Sequence, residues 1–240
     1  MKQLTLRNVL VLSLLLAGSF IQAQAAKPVV SATDPKPRDA KWVQRHEGFV
    51  EIARKGGVDL LFVGDSITDG WRGRGKAVWE ASFAPMKAAN FGIGGDRTQH
   101  VLWRLQNGEL DGIKPKLAVL MIGTNNLGGN KDEQIVEGIK AIVAEIQKRT
   151  PDTKILLLGV FPRGAAADNP SRARIANINM AIAKLDDGGK KIHYMDIGKK
   201  FLAEDGTLTK EIMPDALHPN EKGYEIWAEA IKDVVKEMMK

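Results

Sequence analysis

The stretch LLFVGDSITDGW, residues 60–71, decides how the rest of the chain is read. An apolar run stops abruptly at Gly64, and a serine follows between two acids, Asp65 and Asp69. Gly, Asp and Ser are turn residues, so a plain turn is one reading. An apolar run without alternation is also how a strand covered on both faces looks, and α/β sheets place their sites at the carboxyl ends of such strands. On that second reading Ser66 is a nucleophile displayed at a strand end.

Working outward, similar short apolar runs recur at residues 58–64, 88–92, 116–123, 154–161 and 191–197. Helical spacing separates them, most clearly at 131–149, 171–186 and 220–239, with a short helix candidate at 98–106. Another helical pattern starts at Ala40, carries Trp42, His46, Phe49, Val50 and Ala53, and ends at Lys55-Gly56-Gly57, where glycines stop a helix. Alternating strands and helices imply parallel pairing with right-handed crossovers. The expected fold class is α/β, a three-layer α/β/α sandwich on a sheet of about five parallel strands.

The amino terminus is set apart from the fold. Lys2 and Arg7 precede an apolar, uncharged stretch and a small-x-small site, Ala23-Gln24-Ala25. That order is a secretory signal peptide over residues 1–25, with an uncleaved anchor helix as the alternative. Its apolar core is short for a membrane span, which needs about 20 residues. Residues 26–39 are proline-rich and read as a tether or an arm on the surface, leaving 40–240 as a single domain. The expected location is periplasmic or secreted.

The chain has no cysteine, which removes disulfides, thiolate nucleophiles, a lipidated amino terminus and cysteine-based zinc sites. Net charge is +6, from 35 basic and 29 acidic residues, with the signal segment holding two of the positive charges. Basic residues are interleaved with acids and form no stripe with aromatics, so nucleic acid is not an expected partner. Four histidines without cysteines do not make a metal site, and no cofactor is expected. GWRGRGK, residues 70–76, imitates the start of a phosphate loop. It is followed by Ala77 where a Ser or Thr is needed, and it lies beyond the strand end.

Each strand that could point at a common crevice ends in chemically useful residues: Gly64-Asp65-Ser66, then NFGIGGD (90–96), GTNN (123–126) and FPRG (161–164). Before the last helix comes PDALHPNEKGY (214–224), with Asp215 and His218 three apart. Ester hydrolysis by serine needs a hydroxyl, a base, a carboxylate to orient the base, and donors for the oxyanion. Ser66, His218 and Asp215 are candidates for the first three. Ser66 N–H, Gly95 N–H and the Asn125 amide are candidate donors. Asn126 remains an alternative to Asn125, Asp196 an alternative to Asp215, and a Ser66–His218 dyad an alternative to the triad.

These blocks resemble the SGNH, or GDSL-type, esterases. GDSITDGW looks like the family's first block, NFGIGGD its second, GTNN its third and DALHPNEKGY its fifth, in order over nearly the whole chain after the arm. The run from NFGIGGD to GTNN, with LLLGVFPRG (156–164), is similar to the catalytic subunits of brain-type platelet-activating factor acetylhydrolases. TDGW is closer to bacterial carbohydrate-esterase relatives. The resemblance implies a flavodoxin-like fold, a serine nucleophile at Ser66, oxyanion donors at Ser66, Gly95 and Asn125, and Asp215 and His218 as its D-x-x-H pair. It implies a serine carboxylic-ester hydrolase acting on short acyl groups, most simply acetyl on a carbohydrate. Other esterases of the same fold, acting on lysophospholipids, thioesters or aryl esters, are the alternatives, together with a non-catalytic carbohydrate-binding protein. The expected partner is a small-molecule or carbohydrate ester, without stable membrane insertion and with a homodimer left open. His46 and His193 read as structural. His100, Arg163 and Trp71 are undecided between the crevice and the scaffold.

Overall fold

The structure is a computed structural model, and it describes residues 31–240. The proposed signal segment and the first residues of the arm lie outside them. Five parallel strands, β1 (Leu60–Gly64), β2 (Ala88–Gly92), β3 (Leu117–Met121), β4 (Lys154–Leu158) and β5 (Ile192–Met195), form one sheet in the order β2-β1-β3-β4-β5. The helices are α1 (Ala40–Lys55), α2 (Ser66–Asp69), α3 (Lys76–Ser82), α4 (Thr98–Arg104), α5 (Asp132–Arg149), α6 (Pro170–Ile182) and α7 (Glu221–Met238). The fold is an α/β sandwich.

The unbroken apolar strands follow from this layering. In β1, Leu61 and Val63 enter one core with Trp42 and Phe49 of α1, Val101 of α4, Ile139 of α5 and Ile178 of α6. Leu60 and Phe62 enter a second core on the opposite face, with Trp71, Phe83, and Trp227 and Ile231 of α7. β3 and β4 alternate in the same way, so a polar residue is left only at the strand margin, as at the half-buried Lys154.

The order of strands creates the crevice. The chain leaves β1 for the second face and moves outward to β2, then crosses back to β3 on the first face. Neighbouring connections therefore part between the carboxyl ends of β1 and β3, the place where open α/β sheets bind ligands.

Some strands are shorter than the apolar runs suggested. β3 stops at Met121, and the chain turns at Gly123 (φ 133°) into a 3₁₀ turn, Thr124–Asn126. β4 stops at Leu158, yet Val160 and Phe161 stay buried. There the Asn179 side chain replaces the missing strand partner, accepting from Val160 N at 2.8 Å and donating to Val160 O at 3.1 Å. Helix α3 lies in a segment where no helix was expected.

The arm is held down along its described length. Ala32 is buried and its carbonyl accepts from Thr98 Oγ1 at 2.8 Å. Asp39 caps α1 by accepting from Trp42 N at 3.2 Å, and Gly56 (φ 70°) closes that helix.

Candidate active site

Ser66 is the first residue of α2, one residue past the end of β1 and its adjoining Asp65. The buried Asp65 caps this short helix, accepting from Ile67 N at 3.0 Å through Oδ1. Its other oxygen has no hydrogen-bond partner among the described residues. Burial pushes this carboxyl up to about 7. The turn packs closely on the sheet. A side chain at Gly64 would strike the Met121 carbonyl of β3 and the Thr68 side chain.

Ser66 Oγ lies 2.8 Å from His218 Nε2. On the far side of the ring, His218 Nδ1 lies 2.6 Å from Asp215 Oδ2. The other oxygen of Asp215 accepts two main-chain N–H groups, from His218 at 2.7 Å and Leu217 at 3.2 Å. Burial raises the Asp215 carboxyl, but hydrogen bonds from His218 outweigh it and bring it down to about 2. A carboxylate at Nδ1 selects the tautomer with hydrogen there, and Nε2 is left as an acceptor facing the serine hydroxyl. Between the two residues, Ala216 sits at φ 56°, a conformation costing a residue with a Cβ about 1–2 kcal/mol. Its carbonyl accepts from Gly164 N at 2.9 Å, tying this turn to the loop after β4.

The second loop passes close to Ser66, where a side chain at Gly94 would lie 3.9 Å from the serine Cβ, and the third loop is bonded to the second. Gly95 (φ 79°) has the left-handed backbone that favours glycine, and its N–H has no acceptor among the described residues. Asn125 donates one amide hydrogen to Asp96 O at 2.9 Å, which sets the amide beside the Asp96–Arg97 peptide, one residue after Gly95, with a second hydrogen to spare. Asn126 is fully buried and faces away. It accepts from Thr98 N at 3.0 Å and donates to Thr98 Oγ1, Gln99 Oε1 and Asn130 Oδ1 at 3.1, 3.2 and 3.0 Å. Of the adjacent pair, only Asn125 has a donor left for a ligand.

The remaining candidates stand elsewhere. Asp196 accepts from Gly198 N at 2.8 Å and Asn179 Nδ2 at 3.2 Å, so it braces the end of β5 and has no bond to His218. His100 is buried, its Nδ1 accepts from Arg97 N at 3.1 Å, and burial together with nearby arginines lowers it to about 4. It is therefore a neutral cap of α4. Arg163 donates to the carbonyl and hydroxyl of Thr124, both at 3.2 Å, and braces the third loop. Trp71 is 1% exposed and packs on Tyr224 and Trp227 at 4.5 and 5.0 Å between centroids, which makes it core. His46 and His193 face Glu109 and Asp186.

Sequence reasoning missed the support beneath the loops. Arg104 is fully buried between two carboxylates, with Nε 2.9 Å from Asp96 and NH1 2.5 Å from Glu109. Its NH2 also reaches Gly64 O at 3.4 Å, joining the strand under the serine to the loop that carries Gly95. Asp96 accepts further bonds from Trp42 Nε1 at 2.6 Å and Arg38 NH1 at 3.2 Å. The available signal was a charged residue among Val101, Leu102 and Leu105, on an otherwise apolar helix face.

The GDSL-like lipase/acylhydrolase family profile matches residues 62–226. The chain is similar to platelet-activating factor acetylhydrolase IB subunit alpha1 of Bos taurus, 39% identical over 186 residues and covering 78% of each chain. It is also similar to subunit alpha2 of that enzyme from Gallus gallus, 36% identical over 211 residues, covering 88% of this chain and 90% of the relative. The fold is similar to that of the acetyl xylan esterase AlAXEase, with TM-score 0.61, 23% identity and coverage of 73% and 98%. It is similar too to a catalytic mutant of the acetylxylan esterase Axe2 from Geobacillus stearothermophilus, with TM-score 0.58, 19% identity and coverage of 76% and 94%.

Proposed function

The chain belongs to the GDSL-like lipase/acylhydrolase family, and from that premise we propose that it is an exported serine esterase removing short acyl groups, acetyl above all, from carbohydrate esters. The family makes it a carboxylic-ester hydrolase. The observation that carries the serine mechanism is the relay from Ser66 Oγ to His218 Nε2 at 2.8 Å and from His218 Nδ1 to Asp215 at 2.6 Å.

Ser66 Oγ attacks the ester carbonyl as His218 Nε2 takes its proton. Asp215 holds the ring and balances the imidazolium that forms. The tetrahedral oxyanion sits among Ser66 N–H, Gly95 N–H and the spare hydrogen of Asn125. Each such donor contributes roughly 3–4 kcal/mol, because it acts only as charge builds up. His218 then protonates the departing alcohol, and water repeats the sequence on the acyl-enzyme.

Acetyl is supported by the similarity to proteins named acetylhydrolases, and by an open cleft of about 470 Å³ over Ser66 and His218. A carbohydrate alcohol is supported by the two fold neighbours named acetylxylan esterases. Export is supported by the charged-then-apolar order of residues 1–25. The test is turnover of nitrophenyl esters of rising acyl length beside acetylated sugars. Acetyl esters should be fastest, with each added methylene changing discrimination by about 1–3 kcal/mol. Faster turnover of octanoyl than acetyl esters would move the reading to a lipase or thioesterase.

A further inference from the structure

The cleft over Ser66 and His218 is rimmed by Arg45, Arg72 and Arg74 and by a single acid, Asp69. Two of the arginines share that acid. Arg45 NH2 and Arg72 NH1 both bond Asp69 Oδ1, the latter at 3.2 Å. Arg74 has no hydrogen-bond or ion-pair partner among the described residues, and it is exposed. Three guanidiniums against one rim carboxylate leave a local excess of positive charge beside the reacting hydroxyl.

This excess is local and built. The whole chain carries only +6, and most other surface charges that the structure pairs are matched one to one, such as Lys140 with Glu137 and Lys232 with Glu229. Arg45 and Arg72 are held over the ring of Phe49, at 5.6 and 5.0 Å from its centroid, and Arg72 also donates to the Asn90 carbonyl. Burial and the neighbouring Arg45 bring Arg72 down to about 10, as expected for a cation crowded by another cation. Arg72 and Arg74 belong to GWRGRGK, the string that imitates a phosphate loop by its glycine spacing. Here its arginines line the cleft together with Gly70 and Gly73.

An acetyl group has no room for a charge, so an anion meeting this rim must travel on the alcohol. Building on the esterase reading above, we propose that the arginine rim binds a carboxylate or phosphate on the alcohol portion of the ester. The preferred substrates are then O-acylated acidic molecules, such as acetylated uronic-acid sugars or sugar phosphates, over their neutral counterparts. Guanidinium suits this task because its planar donors match both anions, and a clustered positive rim raises the local concentration of the substrate.

The experiment measures kcat/KM of the purified protein on acetylated glucuronate, its methyl ester, acetylated glucose 6-phosphate, acetylated glucose and nitrophenyl acetate. The acidic sugars should exceed the neutral ones by about tenfold, the effect of one charge-assisted hydrogen bond. In Arg74→Gln the acid-to-neutral ratio should fall several-fold, and in Arg74→Glu it should fall below one. A larger ratio for the phosphate than for the uronate assigns the anion as phosphate, and the reverse assigns it as carboxylate. Equal rates on acidic and neutral acetyl sugars, or a ratio indifferent to both substitutions, would overturn the proposal while leaving the esterase intact. No turnover of any ester, nitrophenyl acetate included, would instead overturn the esterase reading.

Discussion

The guanidinium of Arg38 lies 2.8 Å from the carbonyl oxygen of Gly94, and its NH1 also reaches Asp96 Oδ1 at 3.2 Å. In a trans peptide the C=O and the following N–H point in opposite directions. A carbonyl held toward Arg38 therefore turns the Gly95 N–H away from it. Arg38→Ala should lower kcat by about 10- to 100-fold with little change in KM, the scale of a misplaced reacting group. Arg38→Lys should recover part of the loss, since it restores one donor. A lowered Tm with unaltered kcat would instead assign Arg38 to the fold alone.

Ser66→Ala should remove nearly all activity, by about 10⁴- to 10⁶-fold in kcat, with circular dichroism unchanged. A fluorophosphonate probe should label Ser66 in the parent protein and nothing in the variant. Labelling of another serine would sink the assignment.

The adjacent asparagines should behave differently. Asn125→Ala should cost about 10² to 10³ in kcat and leave KM near its starting value. Asn126 satisfies four groups around α4, so Asn126→Ala should lower stability by about 2–4 kcal/mol and reduce activity mainly through unfolding. Urea melts beside steady-state kinetics of both variants separate the two effects. A stable Asn126→Ala with crippled kcat would place the donor one residue later.

Asp215→Asn would present an amide to His218 Nδ1 and favour the other tautomer, with hydrogen on Nε2 facing Ser66. A loss of about 10² to 10⁴ in kcat is expected. A loss under about tenfold would show that Ser66 and His218 work as a dyad.

Asp65 carries a prediction about pH. Its folded value of about 7 lies above the ordinary carboxylate value of 3.8. The native state therefore holds the proton more tightly than the unfolded chain. Stability should fall as pH rises from about 4 to 7 and then level off. Asp65→Asn removes the titrating group and should flatten that slope. Thermal melts from pH 4 to 8 would show it, and parallel slopes in parent and variant would refute the link to Asp65.

What the sequence revealed was what neighbouring residues encode. Leu60 to Val63 announce a strand because every one of them is buried, and Gly56 marks the end of α1 by local capping. Apolar pattern reports burial rather than sheet pairing. Ile122, Val160 and Ile197 are as buried as strand residues, and so the strand ends were placed too late. Asp215 and His218 could be paired from a spacing of three, since one turn brings them together. Arg38 and Gly94 are 56 residues apart, and their bond depends on α1 docking against the loop after β2. Trp71 follows the serine motif closely yet turns into the second core, a direction that only the packing of Tyr224 and Trp227 decides.

The two cores on either side of β1 bear on how the chain tolerates change. Sliding a strand by one residue normally exposes its apolar side chains, and that penalty guards the pairing. Both faces of β1 are apolar, so a slip would exchange Leu60 and Phe62 with Leu61 and Val63 and expose nothing. Guarding falls instead to the end of the strand, where Gly64 alone fits against the Met121 carbonyl and acts as a mechanical stop. Exchanges among apolar residues within β1 are then mild. Gain or loss of a single residue shifts Ser66 by about 3.3 Å. That is more than the whole length of its 2.8 Å bond to His218, so insertions and deletions in β1 should silence the site in a protein whose hydrophobic pattern looks untouched.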